Sequence, residues 1–241
     1  MEWRIGCSGF YYKEWKEIFY PEGLPQKKWF DYYCQHFNTI EINSSFYRQP
    51  SPKSFSTWYD TSPDDFLFTI KAPQTITHFN KFKQVEELVG NFYDVITNGL
   101  KEKLGCVLFQ LPPSFSYTPE RMEMILKNMR PEFNNVIEAR HISWWNQQIL
   151  DKLTNHKITF SGISYPSNLP DEVIQNHDPV YYRFHGKPVL YKSQYAESEL
   201  QQFVQKVDPE YKQVYVYFNN TWGNAALINS KQLIHITTAA I

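Results

Sequence analysis

The sequence predicts an α/β protein, a single (β/α)8 TIM barrel over residues 1–241, with one helix irregular or missing. Short β-branched or aromatic runs alternate with segments that carry apolar residues at helical spacing. Most runs are continuously apolar, which is typical of parallel strands covered on both faces. The chain has 241 residues, close to the ~250 of such barrels. An open nucleotide-binding sheet is disfavoured because no Gly-x-Gly-x-x-Gly follows the first run.

The predicted elements follow from these runs and from helix-capping signals. The strands cover residues 3–7, 39–42, 66–70, 106–111, 135–139, 158–163, 180–184 and 214–218. The helices cover residues 25–36, 84–103, 118–129, 143–156, 196–207 and 223–235. Ser51-Pro52 and Thr118-Pro119 indicate helix starts, and Ser143 and Ser193 are predicted caps. Residues 168–176 leave room for only a short helix, so this segment is the irregular or missing one.

Composition excludes several classes of protein. The 42% hydrophobic fraction is that of a globular chain, and 24 basic against 25 acidic residues predict no partner through bulk charge. The longest apolar runs, such as residues 107–111, are far shorter than the roughly 20 residues of a membrane span. Three cysteines without Cys-x-x-Cys spacing argue against disulfides and thiolate metal sites. No export signal is visible, so a cytoplasmic protein without membrane contact is expected.

Polar side chains cluster where the predicted strands end, which is the face that carries the chemistry of TIM barrels. Residues two apart on a strand point to the same side. Four such pairs occur, and they are Glu41 and Asn43, Thr69 and Lys71, Glu138 and Arg140, and Arg183 and His185. Neutral polar residues lie at three further strand ends, and they are Ser8, Gln110 and Asn219. These groups either neutralise one another or form a site, and converging charges in a desolvated mouth favour a site.

The loops after four of the strands are basic. Residues 42–59, 69–85, 139–150 and 181–196 contain basic residues and no acidic residue. The basic residues are Arg48, Lys53, Lys71, Lys81, Lys83, Arg140, Arg183, Lys187 and Lys192. Because the whole chain is nearly neutral, acids must be segregated elsewhere, and one positive face remains. The ligand is therefore predicted to be a small anionic or phosphate-containing molecule.

These loops and the loop after the first strand are rich in aromatic residues, which favour stacked nucleotides or sugars when they alternate with cations. The aromatic residues are Tyr11, Tyr12, Phe46, Tyr47, Phe79, Phe82, Trp144, Trp145 and Tyr191. Packing in the core is the alternative for any single ring. Nucleic acid is therefore an alternative partner.

The chemistry of the candidate side chains assigns them catalytic or binding roles. Glu41, Glu138 and His185 are predicted catalytic groups, and His185 beside Arg183 is expected to be neutral. Lys71 qualifies as a nucleophile only if burial lowers its pKa, which nearby carboxylates oppose. The predicted substrate-binding residues are Ser8, Asn43, Tyr47, Lys71, Gln110, Arg140, Trp144, Arg183, Asn219 and Asn220.

No metal or cofactor is predicted, because the standard metal and cofactor motifs are absent. Dispersed metal ligands are the alternative, and the candidates are Glu41, Glu138, His78, His141 and His185.

Several sequence blocks also resemble a known family. They are GCSG at 6–9, EINSSFY at 41–47, FTIKAP at 68–73, FQLPPSF at 109–115, EARHISW at 138–144, RFHG at 183–186 and YVYFNN at 215–220. On these blocks the chain resembles the DUF72 (YecE-like) family along nearly its whole length. The resemblance implies a TIM barrel and a bacterial-type cytosolic protein. Through a likeness to endonuclease IV-type barrels, it also implies nucleic acid as a ligand.

Three functions remain open. The first is a metal-independent enzyme, a hydrolase or lyase, whose mouth holds an anionic substrate. In that case Arg183→Ala is expected to abolish binding and leave the melting temperature nearly unchanged. The second is a non-catalytic nucleic-acid-binding protein, whose affinity falls steeply with salt. The third is a carbohydrate-processing enzyme, which needs Glu41 and Glu138 roughly 5–10 Å apart with access to the glycosidic bond.

Overall fold

Parallel β-strands form two sheets in the computed structural model, which describes residues 1–48 and 50–239. The strands are β1 Glu2–Cys7, β2 Thr39–Ile42, β3 Leu67–Lys71, β4 Leu104–Leu111, β5 Asn135–Ala139, β6 Ile158–Phe160, β7 Gly162–Ser164, β8 Val180–Phe184 and β9 Gln213–Phe218. One sheet has the order β1-β9-β8-β7, and the other has the order β2-β3-β4-β5-β6. The predicted α/β class with parallel strands is confirmed.

The sixth predicted strand, residues 158–163, is divided at Ser161. β6 pairs with β5, whereas β7 pairs with β8 in the other sheet. At the division, the Ser161 amide donates to the carbonyl of Ile137 at 2.8 Å. Gly162 follows because a Cβ atom there would lie 2.6 Å from both the Tyr182 ring and the Glu172 carbonyl oxygen. The single predicted run is therefore two strands, because it changes partner within a few residues.

The α-helices lie between the strands along the chain. They are α1 Trp29–Cys34, α2 Ser44–Tyr47, α3 Pro52–Thr61, α4 Glu86–Leu100, α5 Pro119–Asn128, α6 Gln147–Asn155, α7 Glu197–Lys206 and α8 Ala225–Ala239. None of the helices in the described ranges is long and apolar enough to cross a membrane. Residues 167–179 contain no helix, as the sequence predicts for part of this segment.

The predicted caps have mixed outcomes. Ser51 and Thr118 cap α3 and α5 through their hydroxyls. The predicted start at Ser143 is wrong, because α6 is capped by Asn146, whose side-chain oxygen accepts from Ile149 N. The hydroxyl of Ser143 instead accepts from Tyr117 N at 2.7 Å. The prediction for Ser193 is also wrong.

The side chain of Ser193 forms a hydrogen bond within its own loop, where its hydroxyl accepts from Val189 N at 2.9 Å. The next helix, α7, begins after Ala196, whose amide donates to the Glu199 carboxylate at 2.7 Å. The first helical segment also differs from its prediction. Residues 25–36 form a 3₁₀ turn, Gln26–Lys28, followed by the short α1.

Two buried clusters hold the strands in place. The larger cluster packs the helices on the outer faces of the sheets. The smaller cluster joins β4 and β5 of one sheet to β8 and β9 of the other, and it consists of Cys106, Leu108, Val136, Tyr181, Tyr215 and Tyr217. The Tyr217 hydroxyl also lies 2.6 Å from Thr39 Oγ1 and 2.9 Å from Thr69 Oγ1. The two sheets therefore face each other across a tyrosine-rich interior.

The two sheets also approach each other closely between β1 and β2. Ser8 and Glu41 form an isolated parallel bridge there. A Cβ atom on Gly6 would collide with the backbone carbonyl of Thr39. We expect Gly6→Ala to destabilise the protein by about 1–3 kcal/mol, because backbone must move to relieve this overlap. Urea unfolding measures the loss.

Gly90→Ala is the matched control for this substitution. Gly90 lies within α4, and the nearest atom to an added Cβ is Arg130 Nη2 at 3.7 Å. Alanine there is expected to increase stability by up to about 1 kcal/mol through helix propensity. Equal effects at the two glycines would contradict a tight contact at Gly6.

Candidate functional site

A buried arginine between two glutamates forms the floor of the candidate site. Arg183 is on β8, Glu41 on β2 and Glu138 on β5. The Arg183 guanidinium donates from Nη2 to Glu41 Oε1 and from Nη1 to Glu138 Oε2, both at 2.6 Å. The exposed fractions of the three side chains are 1% or less. These charges are paired because an isolated buried charge is very costly.

Other donors also bond to the oxygens of the two carboxylates. Glu41 Oε1 also accepts from Ser8 Oγ at 2.7 Å, and its Oε2 accepts from Tyr181 OH at 2.6 Å. Glu138 Oε1 accepts from Arg140 Nε at 2.5 Å. Burial raises the pKa of Glu138, but Arg140 and Arg183 outweigh it and hold the pKa well below its usual range. Both carboxylates are therefore bonded to arginine as counter-ions.

The same geometry removes the basis for the carbohydrate hypothesis. A glycosidic bond must lie between the two carboxyl groups if they are to cleave it. Here the Arg183 guanidinium lies between them and bonds to both. Glu41 and Glu138 are also completely buried. Glycoside cleavage by this pair is therefore excluded in this arrangement.

His185 is buried beside this floor and completes its hydrogen bonding. Its Nε2 lies 3.2 Å from Glu138 Oε2 and 3.0 Å from Arg140 Nη2, and its Nδ1 lies 3.0 Å from Asn219 Nδ2. Burial, and then the charge of Arg140, lower the pKa of His185 well below its usual value. This shift favours the neutral form, as expected, although burial and Arg140 contribute more to it than Arg183. Nε2 thus faces both an acceptor, the Glu138 carboxylate, and a donor, the Arg140 guanidinium.

Lys71 has different surroundings from the arginines. Its Nζ donates to Gln110 Oε1 at 2.8 Å and lies 4.0 Å from the centre of the Phe46 ring. Within the described ranges, no carboxylate lies within 4.0 Å of this amine. Burial, followed by the charge of Arg183, lowers the pKa of Lys71 from 10.5 to about 7, although Glu138 and Glu41 oppose the shift. The glutamates therefore raise the pKa of Lys71, as expected, but burial lowers it by more.

Arg140 and His78 lie at the edge of the floor. The Arg140 guanidinium is 3.9 Å from the centre of the Tyr165 ring, and its side chain is only 7% exposed. His78 packs edge-on against Phe46, and its Nε2 lies 3.4 Å from Gln110 Nε2. Burial, and then Lys71 and Arg140, lower the pKa of His78 to about 4. The imidazole of His78 is therefore neutral at physiological pH.

The structure brings together most of the predicted residues and separates a few. One hydrogen-bonded network joins Ser8, Glu41, Glu138, Arg140, Arg183, His185 and Asn219. Lys71 and Gln110 form a separate hydrogen-bonded pair. Asn43 is half-buried, and its side-chain oxygen has no partner among the described residues. Tyr47 projects into solvent and is 77% exposed.

Two predicted binding residues lie in the packing instead. Trp144 is fully buried, donates from Nε1 to Phe115 O at 2.7 Å and stacks on the Phe115 ring. Asn220 is also fully buried, and its amide bonds to Ser193 O and to Asn229. Their contacts are those of residues that support the loops, so we do not include them in the site.

Sequence reasoning missed contributors to this site. Tyr181 lies two residues before Arg183 and so shares its face of β8, which is a usable signal. No local pattern identifies Phe46 and Tyr165 as partners of cations, and the sequence indicates His78 only as a candidate metal ligand. Across residues 1–48 and 50–239, no three or more His, Cys, Asp and Glu side chains are arranged to hold a metal ion.

Cavities lie both beside the site and far from it. A small cavity of about 140 Å³ borders Ser8, Tyr12 and Asn43 at the carboxyl ends of β1 and β2. A larger cavity of about 540 Å³ lies at the opposite ends of these strands, and Trp3, Asn38 and other residues line it. The larger one contains none of the clustered site residues.

The family of the chain follows from comparison with known proteins. The family model described as "Protein of unknown function DUF72" matches residues 4–240. The chain belongs to this family. The DUF72 chain is 26% identical over 266 residues to UPF0759 protein YunF of Bacillus subtilis (strain 168), an alignment covering 96% of the chain and 93% of that protein. UPF0759 protein YecE of Escherichia coli O157:H7 is 28% identical over 172 residues, or 66% of this chain and 60% of that protein.

Solved structures of the DUF72 family have the same fold. A DUF72 family protein from Thermotoga maritima MSB8 is 30% identical with a TM-score of 0.89, over 99% of this chain and 100% of that one. A DUF72 family protein from Enterococcus faecalis V583 is 20% identical with a TM-score of 0.85, covering 98% of this chain and 95% of that one. The predicted resemblance to DUF72 is confirmed.

Proposed function

We propose that this DUF72 protein is one (β/α)8 barrel domain whose mouth binds a small anion through Lys71 and Arg140. Ring closure is supported on one side by the bridge between Ser8 and Glu41. On the other side, β6 and β7 are separated only by Ser161 and pair with strands of different sheets. Arg183 adds a contact across the ring, because it bonds from one sheet to both glutamates of the other.

The observation that carries anion binding is the charge balance of the floor. Two guanidinium groups, of Arg183 and Arg140, neutralise the two carboxylates of Glu41 and Glu138. His185 and His78 are neutral at pH 7. A proton on Lys71 is therefore a positive charge without a counter-ion in a desolvated site. A phosphate or carboxylate supplies that counter-ion, and its binding raises the pKa of Lys71.

This arrangement also gives Lys71 the proton-transfer role that the sequence assigned to the glutamates. A general base works best when its pKa is close to the working pH. The pKa of Lys71 is lowered to about 7, whereas Glu138 is held ionised by two arginines. Gln110 and Asn219 then orient the substrate through amide groups at the rim of the floor, and no metal is required for these roles.

Calorimetric titration with inorganic phosphate and malonate at pH 7 tests the proposal. We expect binding with uptake of a proton, detected as a heat that depends on the ionisation enthalpy of the buffer. Lys71→Met and Arg140→Gln are each expected to weaken binding by about tenfold or more, because each removes a charge-assisted hydrogen bond.

Lys127→Met is the matched control, because Lys127 lies on the outer face and pairs with Glu86 at 2.8 Å. It should leave binding unchanged. Binding of equal strength to wild type and Lys71→Met would overturn the proposal.

A second candidate function, binding of single-stranded nucleic acid, is supported by exposed rings around the mouth. They follow five strands, and they are Tyr11, Tyr47, Phe79, Tyr191 and Trp222 with exposed fractions of 55%, 77%, 69%, 45% and 64%. Such rings stack on bases, and nearby lysines, such as Lys192 over the Trp222 ring at 4.8 Å, contact phosphates. Trp222→Ala is then expected to weaken oligonucleotide binding without changing phosphate binding.

A further inference from the structure

Two buried lysines of this chain have opposite surroundings. Lys103 is 4% exposed, and its Nζ donates to three oxygens, Tyr59 O at 2.8 Å, Ser62 O at 2.9 Å and Ser62 Oγ at 3.1 Å. Lys71 is 8% exposed, and its Nζ has one acceptor among the described residues, the neutral amide oxygen of Gln110. Three acceptors satisfy an ammonium group fully, whereas a single acceptor leaves two of its N–H groups unpaired.

The groups around Lys71 also disfavour a proton on its amine. The Phe46 ring covers one side of Nζ. The glutamates that would attract an ammonium group are bonded to Arg183 and Arg140. Desolvation and neighbouring cations are the two means by which proteins convert a lysine into a nucleophile.

We propose that Lys71 Nζ forms an imine with an aldehyde or ketone that carries a carboxylate or phosphate group. The anionic group is placed by Arg140, and this part rests on the proposed function. The reactivity of the amine does not depend on the proposed function, because this reactivity follows from the hydrogen bonding and burial of Lys71. The substrate class is therefore a small carbonyl compound with one acidic group.

The chemistry balances without an oxidant or reductant. The lone pair of Nζ attacks the carbonyl carbon, and the electrons of the C=O π bond move to the oxygen. One proton passes from nitrogen to this oxygen and gives a carbinolamine. The carbinolamine hydroxyl then takes up a second proton, and the nitrogen lone pair forms the C=N bond as the C–O bond breaks and water leaves. Loss of the remaining N–H proton from this protonated imine returns the second proton and gives the imine. His78, which contacts Phe46 and Gln110, is a neutral imidazole suited to carry these protons.

Reductive trapping tests the imine. The full-length protein is treated with glyoxylate and cyanoborohydride at pH 7, digested and analysed by mass spectrometry. We expect the reduced adduct on Lys71 to form more than about tenfold faster than on Lys103 or on exposed lysines such as Lys127, because burial, neighbouring cations and the lack of acceptors favour the unprotonated amine of Lys71. Inorganic phosphate should slow the reaction at Lys71 alone. An adduct spread evenly over the exposed lysines would overturn the proposal.

The Lys71→Arg variant separates the imine from anion binding. It keeps a positive charge but has no nucleophilic amine, so it should bind phosphate and form no adduct at position 71. Acetaldehyde, which carries no charge, provides the second comparison. Rapid trapping of acetaldehyde and glyoxylate alike would support the nucleophile and contradict the anion site. Phosphate binding by wild type without any adduct at Lys71 would contradict the nucleophile and support the anion site.

Discussion

Replacing Arg183 by methionine is expected to destabilise the protein by about 3–5 kcal/mol, because it leaves buried charges without a partner. Glu41 and Glu138 are completely buried, and both bond to the Arg183 guanidinium. Methionine fills similar space but supplies no positive charge. The two carboxylates must then be protonated, or water must enter the interior. Urea unfolding followed by circular dichroism at pH 7 measures the free energy of unfolding.

Arg130→Met is the control for this experiment. Arg130 pairs with Asp94 at 2.7 Å on the surface, where such pairs contribute less than about 1 kcal/mol. Adding Glu41→Gln and Glu138→Gln to Arg183→Met should recover part of the lost stability, because the orphaned charges are then gone. An Arg183→Met protein as stable as the Arg130→Met protein would contradict the buried network. The sequence alone predicts that substitution of Arg183 leaves the melting temperature nearly unchanged, and the burial of Arg183 between two glutamates reverses that prediction.

Lys71→Met is expected to change how stability depends on pH. Folding lowers the pKa of Lys71 from 10.5 to about 7. Between these values the unfolded chain binds more protons than the folded one, so the free energy of unfolding rises with pH. Relative to Lys71→Met, the wild type should gain about 2 kcal/mol of stability between pH 7 and pH 9. Denaturant unfolding of both proteins at several pH values measures this difference.

The comparison with a variant cancels other titrations, including those of the buried tyrosines. Lys127→Met again serves as the control, because Lys127 has a side chain that is 69% exposed. Its stability should follow that of the wild type at every pH. Parallel curves for wild type and Lys71→Met would mean that the Lys71 ammonium is hydrated in the folded protein.

Local sequence patterns predict much of this structure, because the apolar run of a strand identifies the residues at its end. Alternation of side chains along a strand places Glu138 and Arg140 on one side, and the two indeed form an ion pair. Parallel pairing of β4 with β5 then brings Gln110 beside Glu138 in register. The apolar runs locate the strands, and therefore the residues at the strand ends, without any knowledge of long-range contacts.

Other features depend on contacts that no local pattern contains. The role of Arg183 is set by two glutamates on distant strands, so the sequence shows its charge but not its partners. Trp144 is covered by Phe115, 29 residues earlier in the chain, through a hydrogen bond and ring stacking. The pKa of Lys71 likewise depends on the depth of its burial. Long-range packing decides these three cases.

The contacts of Arg183 have a consequence for how the protein is made. Its glutamate partners lie 142 and 45 positions earlier in the chain. During synthesis, both carboxylates therefore leave the ribosome before their arginine, and the ionic floor of the site is incomplete until β8 has emerged. A nascent or truncated chain that ends before β8 cannot assemble this ionic core.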